Sequence, residues 1–110
     1  IRQVFTDPET PIVLAQQQAQ GWSVGWCWHP SQQFDVSALQ QWLKSWNWRR
    51  AKLVVHAKTG WFSTNCVDNT LEQWKSSEWR KDSRLELIFD HPQDLNLLLE
   101  GLEKCLDKGR

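Results

Sequence analysis

The chain counts 110 residues, nine of them tryptophan and none tyrosine or methionine, and 13 basic side chains balance 13 acidic ones to a formal net charge of zero. That length makes one domain with a modest core. The balanced charge, with one tight basic cluster at Arg49, Arg50 and Lys52, argues against nucleic acid as a partner, since phosphate neutralisation needs a basic patch or stripe.

Residues 1–20 read as a connector: Thr6-Asp7-Pro8-Glu9-Thr10-Pro11 is rich in turn formers, and Ala15-Gln16-Gln17-Gln18-Ala19-Gln20 is a polar tract of low complexity. Residues 21–110 read as the domain. From Trp22 to His29 large and small residues alternate, which is the period of a strand, and Pro30 ends it. Asp35 is placed to cap a helix, and Val36, Leu39, Trp42, Leu43 and Trp46 recur at helical spacing until Asn47.

Ala51, Leu53, Val55 and Ala57 alternate with Lys52, Val54, His56 and Lys58 as a second strand, and Thr59-Gly60 supports a tight turn into a third strand over Trp61 to Val67. Pairing Lys58 with Trp61 places Phe62, Thr64 and Cys66 on the core face. Asp68-Asn69 interrupts the run, and Leu71 to Trp79 reads as a bulged extension, because Trp74 and Trp79 are out of phase for one regular strand. Leu85, Leu87 and Phe89 alternate with Arg84, Glu86 and Ile88 as a fourth strand. Pro92 suits the first turn of a closing helix striped by Leu95, Leu98, Leu99, Leu102, Cys105 and Leu106, and residues 107–110 fray from its end.

The order β-α-β-β-β-α, with one apolar stripe per helix, predicts an α+β fold of two layers: a four-stranded, mostly antiparallel sheet with two helices on one face. Tryptophan has a large apolar body and one N–H, and nine in so small a chain imply a half-exposed face or a contact site. Strand phase points Val54, Trp61 and Ile88 away from the helices. Placing the small Gly25 and Cys27 beneath the helices puts Trp26 and Trp28 on that open face too. These five residues are the candidate interaction face, to be covered by another protein or by the connector folded back.

Little else carries chemistry. Three widely spaced cysteines, Cys27, Cys66 and Cys105, form neither a disulfide framework nor a zinc ribbon and suit a reducing, cytoplasmic setting. Cys27 and His29, at i and i+2, are weak candidates for a metal pair, but zinc wants two further ligands, and the only near ones, His56 and Cys66, fall on opposite faces. No glycine-rich phosphate loop and no catalytic triad order is present, so neither catalytic nor cofactor-binding residues are assigned. No apolar run reaches the length of a membrane span, so no membrane partner is expected. The chain begins at Ile1 rather than methionine, and reads as part of a longer protein whose N-terminal portion holds the chemistry.

From Gly21 to Leu106 the chain resembles the C-terminal domain of the CobW family of GTPases. The features that carry it are Phe34-Asp35 leading into a helix with Leu39 and Leu43, Arg50 just before the strand Ala51-Lys52-Leu53-Val54-Val55, and the tryptophan-ended region Trp61 to Trp79. The late strand Arg84-Leu85-Glu86-Leu87-Ile88-Phe89 follows, then Asp94-Leu95 with Leu98-Leu99. Leu53 after Lys52, where the family usually has glycine, marks a divergent member.

The resemblance implies a parent with an N-terminal P-loop GTPase domain that binds GTP and magnesium, carries a Cys-x-Cys-Cys motif, and takes part in zinc or cobalt delivery or cobalamin synthesis. None of those residues has a match here. The role it implies is a non-catalytic docking or regulatory domain whose partners are that GTPase domain and a metalloprotein client. The alternatives are single-stranded nucleic-acid binding on an aromatic sheet face, or a small autonomous metal-binding domain at Cys27 and His29.

Overall fold

A computed structural model describes residues 4–108. Its elements in chain order are β1 (Ile12–Gln18), β2 (Gly21–Trp28), α1 (Val36–Lys44), β3 (Arg50–Ala57), β4 (Gly60–Val67), β5 (Lys75–Ser76), β6 (Ser83–Phe89) and α2 (Leu95–Glu103). The strands form one sheet in the order β1-β2-β6-β3-β4-β5, with every neighbouring pair antiparallel. The last long strand, β6, slots between β2 and β3, the two strands joined through α1, a split βαβ arrangement.

The sheet has six strands rather than four. The tract read as a connector supplies β1, which pairs with β2 from Ile12↔Cys27 to Gln18↔Gly21. Its glutamines are tolerated because β1 is an outer strand whose side chains stay largely in water. The second addition, β5, is two residues long and pairs with Phe62 and Ser63 of β4, too short to leave a periodic signature.

The core lies between the sheet and the two helices. Leu39, Trp42 and Leu43 of α1 and Leu98 and Leu102 of α2 join Val24, Leu53, Val55, Leu85, Leu87 and Phe89 in one buried cluster. Asp35 caps α1 by accepting from the Ala38 N–H at 3.2 Å. That helix ends at Lys44, earlier than Asn47, where Ser45 Oγ donates to the Trp42 carbonyl at 2.6 Å and the buried Trp48 indole donates to the Leu43 carbonyl at 2.9 Å. Those bonds satisfy carbonyls that a helix end leaves open.

α2 starts at Leu95, with Asp94 as its cap, rather than at Pro92. Beyond it Asp107 is held by its N–H on the Gln33 carbonyl at 2.7 Å, so that residue does not fray; Gly109 and Arg110 lie outside the described residues. No helix among the described residues is long and apolar enough to cross a membrane.

The β3–β4 hairpin pairs Ala57 with Gly60 and Val55 with Phe62, a register two residues from the one read in the sequence. A slip of two preserves faces, so Phe62, Thr64 and Cys66 still share the helix side with Ala51, Leu53 and Val55. Asp68 (φ 50°) and Asn69 (φ 59°) turn the chain after β4, the paired positive φ values of a type I′ turn.

Candidate functional site

The sheet register fixes which side chains share the open face. His56 pairs with Trp61, Val54 with both Ser63 and Arg84, Lys52 with both Asn65 and Glu86, and Arg50 with Ile88. On the outer strands Cys27 stands opposite Ile12 and Arg84, and Gly25 opposite Leu14 and Glu86. Val54, Trp61 and Ile88 therefore lie on the face away from the helices.

Trp26 and Trp28 do not. They pair with Leu85 and Ser83 on the helix side and are 2% and 0% exposed. The Trp26 ring meets Trp42 of α1 edge to face at 5.8 Å, and Trp28 meets Phe34 at 5.6 Å. The helices lie against the large side of β2, while its small residues, Gly25 and Cys27, line the open face where Trp79 stands.

Trp61 is on the open face but is not free. Its ring lies flat on His56, with centroids 4.5 Å apart and planes 6° from parallel, and it is 8% exposed. His56 Nδ1 sits 2.7 Å from the Pro30 carbonyl, and a carbonyl can only accept, so Nδ1 is the donor. None of Trp26, Trp28 and Trp61 thus offers an open ring for a base to stack upon.

A groove of about 600 Å³ runs across the middle of the open face, lined among others by Ile12, Leu14, Cys27, Val54, Trp79 and Arg84. Its wall is the segment between β5 and β6. Trp79 Nε1 donates to the Asp82 carbonyl at 2.7 Å, and Asp82 Oδ1 and Oδ2 accept from Arg84 Nε at 2.9 Å and Nη2 at 3.2 Å. The Arg84 guanidinium also lies 5.2 Å from the Trp79 ring centroid, within range of a cation–π contact. Asp82 is buried, and these donors satisfy its charge.

Sequence reasoning missed this wall. Trp79 breaks strand phase, which marked the segment as irregular but could not show that it turns back across the sheet. The other missed residues, Ile12 and Leu14, lay within the presumed connector.

Cys27 and His29 gain no further ligand beside them among the described residues. Burial, with Asp82 adding to it, pushes the Cys27 thiol up from 9.0 to about 11, opposing the thiolate that a metal needs. His29 Nδ1 is engaged by Ser31, 2.8 Å from its Oγ and 3.1 Å from its N–H. No group of three or more His, Cys, Asp or Glu side chains placed to hold a metal ion occurs among the described residues.

Against known proteins, the family described as the cobalamin synthesis protein cobW C-terminal domain matches residues 23–106. No curated protein and no solved structure matches the chain significantly.

Proposed function

The chain belongs to the cobW C-terminal domain family, and from that membership we propose that it is a non-catalytic docking or regulatory domain for a CobW-type GTPase domain in the same polypeptide. GTP and magnesium belong to that partner domain, and the cargo is zinc or cobalt, delivered in the cytoplasm to a metalloprotein client or toward cobalamin synthesis.

The observation that carries this reading is the open-face groove. It combines apolar Ile12, Leu14 and Val54 with Lys52, Arg84 and Glu86, an apolar floor with a charged rim, as protein contacts have. The half-buried Val54 and Ile88 belong to this face without closing the core, so they probe docking more cleanly than Trp61.

The test is titration of this chain against a separately expressed CobW-type GTPase domain loaded with GTP or GDP. Val54→Asp and Ile88→Asp should each weaken association at least about tenfold, since a carboxylate introduced into a desolvated contact has no partner there. Their far-UV circular dichroism should match the parent chain. Unchanged association with both variants, or no association in either nucleotide state, refutes docking through this face.

A further inference from the structure

β1 is the outer strand of the sheet, and among the described residues nothing pairs with its free side. An outer strand presents a row of unpaired N–H and C=O groups, and proteins that remain monomeric blunt it with lysine, proline, a bulge or a very short strand. β1 has none of these. It is seven residues long, reads Ile-Val-Leu-Ala-Gln-Gln-Gln, and pairs with β2 without a bulge. No Asp, Glu, Lys or Arg occurs between Glu9 and Asp35, so the whole β1–β2 hairpin is uncharged.

The strand is also apolar on both faces. Val13 is 40% exposed and Leu14 64% exposed, and they point to opposite sides of the sheet, opposite Trp26 and Gly25 respectively. A neighbouring strand would cover both at once, which no ligand seated on a single face can do.

We propose that β1 pairs antiparallel with β1 of a second copy of this chain about a two-fold axis at Leu14, joining two six-stranded sheets into one. Such an axis, perpendicular to the sheet, keeps each face continuous, so residues facing one another share the same parity. Leu14 then meets Leu14, Val13 meets Ala15, and Ile12 meets Gln16 of the second copy. Pro11, which has no N–H to give, stays outside the paired stretch.

Charge selects the occupant. A partner strand bearing charges would find none to answer them on this hairpin, whereas a second copy sets no like charges opposite one another. The zero net charge of the chain adds no long-range repulsion between copies.

The experiment is sedimentation velocity on the 110-residue chain from about 1 to about 500 µM, a range suited to an interface below standard size. Amide hydrogen exchange is measured at both ends of that range. A concentration-dependent monomer–dimer equilibrium is expected, with exchange of the β1 amides slowing at high concentration. Leu14→Lys sets two ammonium groups together at the axis and should weaken the dimer at least about tenfold. Ser76→Lys, at the opposite edge of the sheet, should leave it unchanged. Leu14 is exposed, so the unfolding midpoint of Leu14→Lys should stay near that of the parent chain. A monomer across the whole range, or a dimer indifferent to Leu14→Lys, overturns the proposal. Val54→Asp and Ile88→Asp do not touch this edge, so the docking reading and this one fail separately.

Discussion

Trp61→Ala tests whether the open face is a free surface or a built one. Strand phase alone makes Trp61 a docking residue whose loss the fold would ignore. In the structure its ring is stacked on His56 at 4.5 Å and is 8% exposed. A buried indole removes roughly 200 Å² from water, and at roughly 25 cal/mol per Å² that is about 5 kcal/mol as an upper figure. Alanine keeps a small part of it, so the expected loss is about 3–4 kcal/mol. For 110 residues the entropy of unfolding is about 0.23 kcal/mol/K, which converts the loss to a Tm drop of about 13–17 °C. Thermal and urea unfolding followed by circular dichroism measure it. A double-mutant cycle with His56→Ala should return a coupling of about 0.5–1.5 kcal/mol for the stacked rings. A Tm shift below about 4 °C with an unchanged spectrum refutes the reasoning.

Gly21→Ala should also be damaging. Gly21 sits at φ +138°, and a Cβ there would lie 2.3 Å from the Phe89 carbonyl oxygen, a backbone atom of the central strand β6. About 2–4 kcal/mol should be lost in urea titration, and a change under about 0.5 kcal/mol would contradict the geometry. Gly101→Ala gains about 1 kcal/mol of helix propensity but brings a Cβ to 2.8 Å from Cδ1 of the buried Trp42. Overpacking at about 1–3 kcal/mol outweighs the gain, so this helical alanine should lower the Tm, and a rise would mean the Trp42 ring moves freely.

The thiols predict a pH dependence. Burial raises both Cys27 and Cys105 from 9.0 to about 11, so the folded chain keeps protons that the unfolded chain gives up. Their contribution is whole below pH 9 and is lost as pH rises to about 11. Urea midpoints between pH 8 and about 11.5 should fall more steeply for the parent chain than for the Cys27→Ala, Cys105→Ala double variant. Equal slopes would refute it.

Much of the fold was legible because its signals are local and redundant. The Asp35 cap, the α1 stripe and the alternation in β3 and β6 each agree with their surroundings, and a hairpin register misplaced by two still returned the right faces. What was illegible depended on partners distant in sequence. Three of the seven residues of β1 are glutamine, and only the β2 edge makes it a strand. The facing of β2 turned on the rule that small residues admit helices closely, but Gly25 and Cys27 instead line the groove beside Trp79, which returns over the sheet from more than 50 residues away. The candidate site suffered most, since the strand phase that placed Val54 and Ile88 says nothing of which neighbours close over Trp61.

The tryptophans make the same point about what a composition can demand. Nine in so short a chain imply a half-exposed face or a contact site, and in the fold six are buried, three are half-buried and none is exposed. The chain achieves this by using the rings as layers. Trp22, Trp26 and Trp28 floor the helix side of β2, Trp42 faces them from α1, and Trp48 closes the end of that helix. Polar demand yields to packing where it must: the buried indole N–H groups of Trp28 and Trp42 find no hydrogen-bond partner among the described residues. Trp61 and Trp79 then build the other side, one stacked on His56 and one held by Asp82 beneath a guanidinium. Abundant aromatic residues here are scaffold on both faces of the sheet. The large apolar side chains that do stand exposed are aliphatic, Val13, Leu14, Val67, Leu95 and Leu97 among them, so substitutions at Leu14, Val54 and Ile88 test the two proposals without removing an aromatic ring.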